Sequence, residues 1–457
     1  MNKNPRNHPV EQDPAVRRNN FEEVCQGFTH EAMLAEADRC LHCKAAPCRK
    51  GCPVGVDIPG FIDLLKKEDM QGAIDTIKRY NALPAVCGRV CPQEVQCEKY
   101  CVRQKSGGAV AIGLLERYAA DYALQNNRVP QQKPPVLPYK VAIAGSGPSS
   151  LACAGELARK GVQVTIFEAF HKAGGVLVYG IPEFRLPKRL VEAEIDQLKE
   201  LGVEIKTNVV IGKSLLIEEL LAEYDAVFIG SGAGLPSFMG LPGEGLNGVY
   251  SANEYLTRIN LMKAYRDDYA TPIKRADRVV VVGAGNVAMD AARTALRMGS
   301  KEVFIVYRRA REDVPARYEE VEHAEQEGVK MHFLSSPVAI FGEKQVEGIR
   351  CIRTEIDSVD ENGRRTIREI EGSEFDLPCD LVIMAIGTSP NPLIKNATEG
   401  LKTTPKGTIV IDEDHMTSLD RVYAGGDAVT GAATVILAMG AGKKAAQTIL
   451  NKFGLNQ

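Results

Sequence analysis

No run of 18 or more consecutive apolar residues occurs in this 457-residue chain, which excludes a membrane-spanning helix in the sequence. Excess charge of either sign is also lacking. The net charge is −3, so neither a nucleic-acid nor a membrane partner is expected. The opening MNKNPRNHPVEQDPAVRRNN has no apolar core of the kind a secretory signal needs. A cytoplasmic location is therefore expected, where the reducing poise disfavours structural disulfides. Tryptophan is absent, with no functional consequence. The length suggests about three domains, enough to bury cores without staples.

Cysteine is present but unevenly spread. Eight of the twelve lie between Cys40 and Cys101, and such a cluster in a cytosolic chain reads as metal binding. The first run, CLHCKAAPCRKGCPVG, spaces Cys40, Cys43, Cys48 and Cys52 as C-x2-C-x4-C-x3-C-P. The second places Cys87, Cys91, Cys97 and Cys101 as C-x3-C-P-x4-C-x3-C. Zinc sites favour paired C-x2-C units, and only Cys40 and Cys43 form one. Iron–sulfur clusters take tighter, staggered thiolates, and a Cys-Pro position often serves a different cluster. Cys52 and Cys91 both precede proline. Eight thiolates in two interlocked runs predict two [4Fe–4S] clusters, with zinc as the competing reading. His42, between two candidate ligands, reads as a neighbouring or surface residue. Cys153 reads as a small packed side chain.

Three textures follow one another. HEAMLAEADRCL, FIDLLKKEDMQGAIDTIKRY and ERYAADYALQ carry helical apolar spacing. The proline-rich NNRVPQQKPPVLP reads as an extended linker. From Tyr139, KVAIAGSGPSSLACAGELARKGVQVTIFEA reads as strand, glycine turn, helix, strand. DRVVVVGAGNVAMDAARTALRMGSKEVFIVYRR repeats it. The expected fold is α/β: an N-terminal α-helical iron–sulfur domain, then two Rossmann-like dinucleotide-binding domains, one inserted in the other. The expected boundaries are 1–135 for the helical domain and linker, 136–272 and 385–457 for the two parts of an FAD domain, and 273–384 for an NADP(H) domain.

In the first unit Gly145 permits a tight turn, and Gly147, with Pro148 and Ser149 opening the helix, lets backbone approach a pyrophosphate. Glu168 ends the next strand, where a carboxylate accepts a ribose hydroxyl. Placed between strand and helix with the acid in register, the motif outweighs a ligand-free turn. In the second unit the turn is Gly283-Ala284-Gly285-Asn286-Val287. Arg308 and Arg309 replace the acid, and a guanidinium can pair with a 2′-phosphate that a carboxylate would repel. NADP(H) over NAD(H) is the expectation there; a solvated strand end is the alternative. Gly387 closes the strand segment DLVIMAIG, the counterpart of AVFIGSG in the first unit. VYAGGDAV offers Gly426 and Asp427, and Thr434 opens a long helix whose N-terminus favours negative charge on a flavin edge. GGVLVYGIP, with Gly175, Gly180 and Ile181, is a candidate flavin-ring contact or an ordinary turn. No C-x-x-C or C-x4-C adjoins these segments, which argues against a dithiol reductase.

Taken together, ADRCLHCKAAPCRKGCPV, LPAVCGRVCP, AIGLLERYAADYA, GIPEFRLPKRL and VYAGGDAV resemble the small (β) subunit family of NADPH-dependent glutamate synthase, from about residue 20 onward. The larger subunit of the electron-bifurcating NADH-dependent reduced ferredoxin:NADP oxidoreductase is a close relative. Dihydropyrimidine dehydrogenase carries a similar N-terminal module. The resemblance implies FAD, NADP(H) and two [4Fe–4S] clusters. It implies that Cys40, Cys43, Cys48 and Cys101 hold one cluster, and that Cys52, Cys91, Cys97 and Glu116 hold the second. Cys87 would then be a non-ligand near the flavin, although spacing alone selects it. The chain opens without the N-terminal cysteine nucleophile of glutamine hydrolysis. It is therefore expected to feed electrons to a partner in a hetero-oligomer. That partner is a glutamate synthase large subunit or, on the bifurcating reading, a small flavoprotein with ferredoxin as acceptor. The compact first cysteine run and EQDPAVRRNNFEEV resemble the bifurcating group. A zinc-stabilised non-enzymatic scaffold is the alternative of another class.

Overall fold

The computed structural model describes residues 4–126, 133–359 and 365–455. Part of the proline-rich linker, 127–132, lies outside the described residues.

The N-terminal region is helical where the apolar spacing requires it. Helices run over His30–Ala37, Ile58–Lys66, Met70–Lys78, Pro84–Val90 and Ile112–Gln125. The continuous pattern FIDLLKKEDMQGAIDTIKRY is two helices rather than one. Glu68 takes a φ of 58°, which ends the first. The Asp69 side chain then accepts from the Gly72 N–H, capping the second. Their shared apolar face buries Phe61, Ile62, Leu65, Ile74 and Ile77. A short antiparallel ladder, Val10–Glu11 with Cys25–Gly27, carries no periodic signal in the sequence.

Two five-stranded sheets follow, each wholly parallel. The first runs Val422–Ala424, Ala226–Ile229, Lys140–Ala144, Gln163–Phe167, Glu204–Lys206. The second runs Lys330–His332, Glu302–Val306, Arg278–Val282, Leu381–Met384, Val249–Ser251. Past the exposed first residues Lys140 and Arg278, their central strands are apolar because helices and loops cover both faces. Val249–Ser251 corrects the expected boundary at 272/273. This strand pairs with Leu381–Met384 in the second sheet, so the second unit begins before residue 273. Three residues are too few to show a period. The return strand Val422–Ala424 sits beside Ala226–Ile229, so the first sheet is completed only after the second has been threaded. A four-stranded antiparallel sheet, Ser335–Phe341 to Phe375–Pro378, is inserted in sequence between Lys330–His332 and Leu381–Met384 of the second sheet.

Buried ion pairs hold the two nucleotide units together. Arg185 donates to both Asp290 oxygens at 2.7–2.8 Å and lies 2.9 Å from Glu320. The ring of Phe184 lies under the guanidiniums of Arg297 and Arg293, at 3.8 and 4.8 Å, a cation–π arrangement. Glu327 accepts from Arg17, Arg293 and Arg297. Burial pushes its carboxyl up, but the Arg293 and Arg297 guanidiniums outweigh that and hold it at about 2. The N-terminal segment is thereby tied to the second nucleotide unit.

Candidate functional site

The two glycine loops are built alike. Gly145 has a φ of 93°, and a Cβ there would stand 2.8 Å from the Gly230 carbonyl oxygen. Gly283 has a φ of 118°, and a Cβ there would collide with the Ala385 carbonyl oxygen. Each donates its N–H to the next strand, to Phe167 O at 2.8 Å and Val306 O at 2.9 Å. Gly147 and Gly285 cap the following helices, Pro148–Arg159 and Asn286–Arg297, and nothing lies within 4 Å of where their Cβ atoms would be. Both helix N-termini therefore open onto free space, the arrangement that receives a pyrophosphate.

That space is continuous. One cavity of about 1490 Å³ is bordered by both loops, by Glu168, Arg308, Gly387, Asp427 and by Thr434. It exceeds the roughly 300–1,000 Å³ of a single small-ligand pocket, so there is room for two dinucleotides. Gly175, Gly180 and Ile181 line it too, which favours the flavin-contact reading of GGVLVYGIP over an ordinary turn. Glu168 is buried and accepts from the Ser146 and Phe170 N–H groups at 3.0 and 2.8 Å and from the Ser146 hydroxyl. The loop thus fixes the acid at the cavity wall. Asp427 accepts from the Ala433 N–H at 3.2 Å, and burial pushes its carboxyl up to about 6. Thr434 Oγ1 accepts from the Leu437 N–H at 3.3 Å, capping the long helix Val435–Lys452.

In the second unit Arg308 borders the cavity and Arg309 does not. Arg309 packs toward Tyr307 instead. Of the two arginines, only Arg308 lines the cavity. Val287 is exposed, and Asn286 Oδ1 accepts from the Arg317 N–H at 2.9 Å.

The cysteines separate into two groups. Cys40, Cys43, Cys48 and Cys101 line one small apolar cavity with Ile58, Ile62, Val110 and Ile112. Burial pushes the Cys48 thiol up to about 11, with Cys101 and Cys40 adding to the shift. The second group is Cys52, Cys87, Cys91 and Cys97, with Glu116 beside it. Burial pushes the Cys97 thiol up, with Glu98, Cys52 and Glu116 adding to the shift. Cys87 and burial raise Cys91, and Glu116 and Cys97 raise it further. Two sets of thiols, the first lining an apolar pocket and the second beside a carboxylate, suit iron–sulfur ligation. All twelve cysteines are free thiols. His42 is exposed and its imidazole pairs with Asp63 at 3.5 Å; only its backbone N–H meets Cys40.

Cys87 Sγ lies 3.5 Å from Met439 Sδ and 3.6 Å from Asn81 Oδ1. The Asn81 amide also donates to Glu116 Oε1 at 2.7 Å. Asn81 therefore stands between the two rivals for the fourth ligand position. Sequence reasoning missed it, and also missed Gly442, where a Cβ would collide with the Ser149 carbonyl oxygen. That close approach sets Val435–Lys452 directly on the helix of the first glycine loop. The helix borders the cavity at Val435 and Ala438, and one turn on it meets Cys87 through Met439 and Pro53 through Gly440.

Two parallel nucleotide-type sheets behind an N-terminal cysteine domain define a pyridine-nucleotide oxidoreductase with an iron–sulfur module. Residues 17–128 match the family described as dihydropyrimidine dehydrogenase domain II, 4Fe-4S cluster, and 139–442 match pyridine nucleotide-disulphide oxidoreductase. The chain is 38% identical over 453 residues to the glutamate synthase [NADPH] small chain of Halomonas elongata, covering 98% of this chain and 96% of that one. It is 36% identical over 453 residues to the same-named chain of Escherichia coli, covering 97% and 96%. The fold resembles FprA of Mycobacterium tuberculosis, solved in complex with NADPH, with a TM-score of 0.58 and 22% identity over 70% of this chain and 85% of that one. The chain belongs to the glutamate synthase [NADPH] small-chain family and is an oxidoreductase, which removes the scaffold reading. Among the described residues no helix is long and apolar enough to cross a membrane.

Proposed function

We propose that this chain takes electrons from NADPH and delivers them through FAD and two [4Fe–4S] clusters to a partner subunit. A flavin bound at the first loop would accept a hydride from the nicotinamide and release electrons singly to the clusters. The single observation that carries the reading is the helix Val435–Lys452. Its N-terminal turn borders the dinucleotide cavity, and its next turn touches the Cys52-Pro53 loop and the helix that carries Cys87.

The residues divide the work. Gly145, Gly147, Ser149, Glu168, Gly426, Asp427 and Thr434 hold the flavin nucleotide. Gly283, Gly285, Asn286 and Arg308 hold NADP(H), with Arg308 selecting the 2′-phosphate. Arg185, bidentate on Asp290, fixes the flavin loop against the nicotinamide helix, so the two rings meet in one orientation. Cys52, Cys91, Cys97 and Glu116 hold the cluster nearer the flavin. Cys40, Cys43, Cys48 and Cys101 hold the other. Cys48 lies on one turn of helix, Pro47–Lys50, with Cys52 two residues past its end, and Cys97 and Cys101 flank another, Glu98–Tyr100. Each turn therefore contributes to both sites, which keeps the clusters close together.

By its relatives' names, the acceptor is the large subunit of a glutamate synthase, and the working form is a hetero-oligomer. The test is anaerobic reduction of the purified protein. A brown protein with one FAD and near eight irons, bleached by NADPH far faster than by NADH, supports the reading. Colourless protein, or equal kcat/KM for both nucleotides, sinks it. Copurification with a small flavoprotein instead of a large amidotransferase chain would move it to the bifurcating group.

A further inference from the structure

The loop that carries Cys91 is hydrogen-bonded to the nucleotide loop through one side chain. Arg317 is 9% exposed. Its backbone N–H donates to Asn286 Oδ1 at 2.9 Å, at the first turn of the helix that the second glycine loop opens. Its guanidinium reaches the other way, donating to Arg89 O at 2.8 Å and to Gln93 Oε1 at 3.1 Å. Glu319 accepts from the same guanidinium at 2.8 Å, so the charge is compensated and held.

Gln93 is 6% exposed and lies two positions past Cys91. Its Nε2 donates to the Cys87 carbonyl at 3.2 Å. Its amide also presses on Gly113, where any Cβ would overlap it, on the helix that carries Glu116. Gln93 thus touches two of the elements that supply the second cluster site, the Cys87–Cys91 segment and the helix of Glu116. Val90 and Pro92, on either side of Cys91, border the same cavity as Asn286 and Pro315.

We propose that Arg317 is a positioning residue that couples occupancy of the nucleotide loop to the second cluster, through Asn286 on one side and Gln93 on the other. A nucleotide pyrophosphate at the helix N-terminus draws on Asn286. The guanidinium it positions bears on the backbone around Cys87 and Cys91, and hydrogen bonding and charge near a cluster set its potential. Linkage makes the effect reciprocal: if nucleotide shifts the cluster potential, the cluster's redox state shifts nucleotide affinity by the same factor. The inference rests on the second cluster being held by Cys52, Cys91, Cys97 and Glu116. Iron content and the number of EPR signals report on that separately.

The experiment is an EPR-monitored redox titration of the holoprotein with and without saturating 2′-phospho-ADP-ribose, which fills the loop but cannot accept a hydride. In the wild type one of two cluster signals should move by an amount equivalent to about fivefold in affinity, about 40 mV for a one-electron couple. Arg317→Lys keeps the charge but loses the fork, and Gln93→Asn withdraws the amide. Each should abolish the shift while iron content and flavin stay unchanged. Direct electrostatics from the nucleotide's own charge would survive both substitutions, so a retained shift overturns the proposal. A wild-type protein with two signals and no shift overturns it without any variant, and a single signal with half the iron removes the cluster assignment instead.

Discussion

Arg17 Nε donates to Glu327 Oε1 at 3.0 Å across 310 positions of sequence, and both side chains are buried. Arg293 and Arg297 share the same carboxylate, so one negative charge neutralises cations from two parts of the chain. Glu327→Gln removes the counter-charge of buried Arg297 and one of the two carboxylates that pair with Arg17 and with Arg293. It should cost about 3–5 kcal/mol, read as a lowered midpoint in urea. The pH dependence has a definite sign. The Glu327 carboxyl is held at about 2 against an ordinary 4.5, so its stabilisation is complete above about 4.5 and is lost as pH falls through about 2. The variant should lack that part of the acid limb.

Gly145→Ala and Gly283→Ala should separate the two cofactors. Each places a Cβ against a backbone carbonyl at a positive φ, a strain that Ala does not relieve. Gly145→Ala should purify without flavin. Gly283→Ala should keep flavin colour but raise the KM for NADPH at least tenfold.

Arg308→Ala should lower kcat/KM for NADPH by about 10- to 100-fold, the worth of a charge-assisted hydrogen bond of about 1.5–3 kcal/mol. NADH turnover should change little. Arg309→Ala, outside the cavity wall, should do much less. Equal losses in the two variants would refute the division.

Glu116→Ala and Cys87→Ala decide the fourth ligand. Glu116→Ala should lose iron and the EPR signal of one cluster; Cys87→Ala should keep both. The reverse result would return the position to Cys87, whose thiol already hydrogen-bonds with Cys91.

What the sequence made legible was whatever repeats or obeys a period. The glycine turns, the acid at Glu168 and the paired cysteine runs each couple a spacing to a chemical need, and the structure assembles them around one cavity and two thiol groups. The three-residue strand Val249–Ser251 was not legible, because it is too short to alternate. FIDLLKKEDMQGAIDTIKRY carries helical spacing throughout, and the turn at Glu68 and Asp69 that splits it does not break that spacing. Arg317, Gln93 and Asn81 could not be found at all. Each acts through partners far away in sequence, and a single polar side chain has no pattern until the fold brings those partners to it.

The contact between Met439 and Cys87 spans 352 positions, and this sets an order of assembly. Synthesis at about 5–20 residues per second separates the two by roughly 20–70 s. During that interval the cysteine domain stands without the helix that covers its inner face, and the first sheet still lacks its return strand Val422–Ala424. The cysteine domain and the dinucleotide cavity are therefore joined along this side only when the last long helix docks.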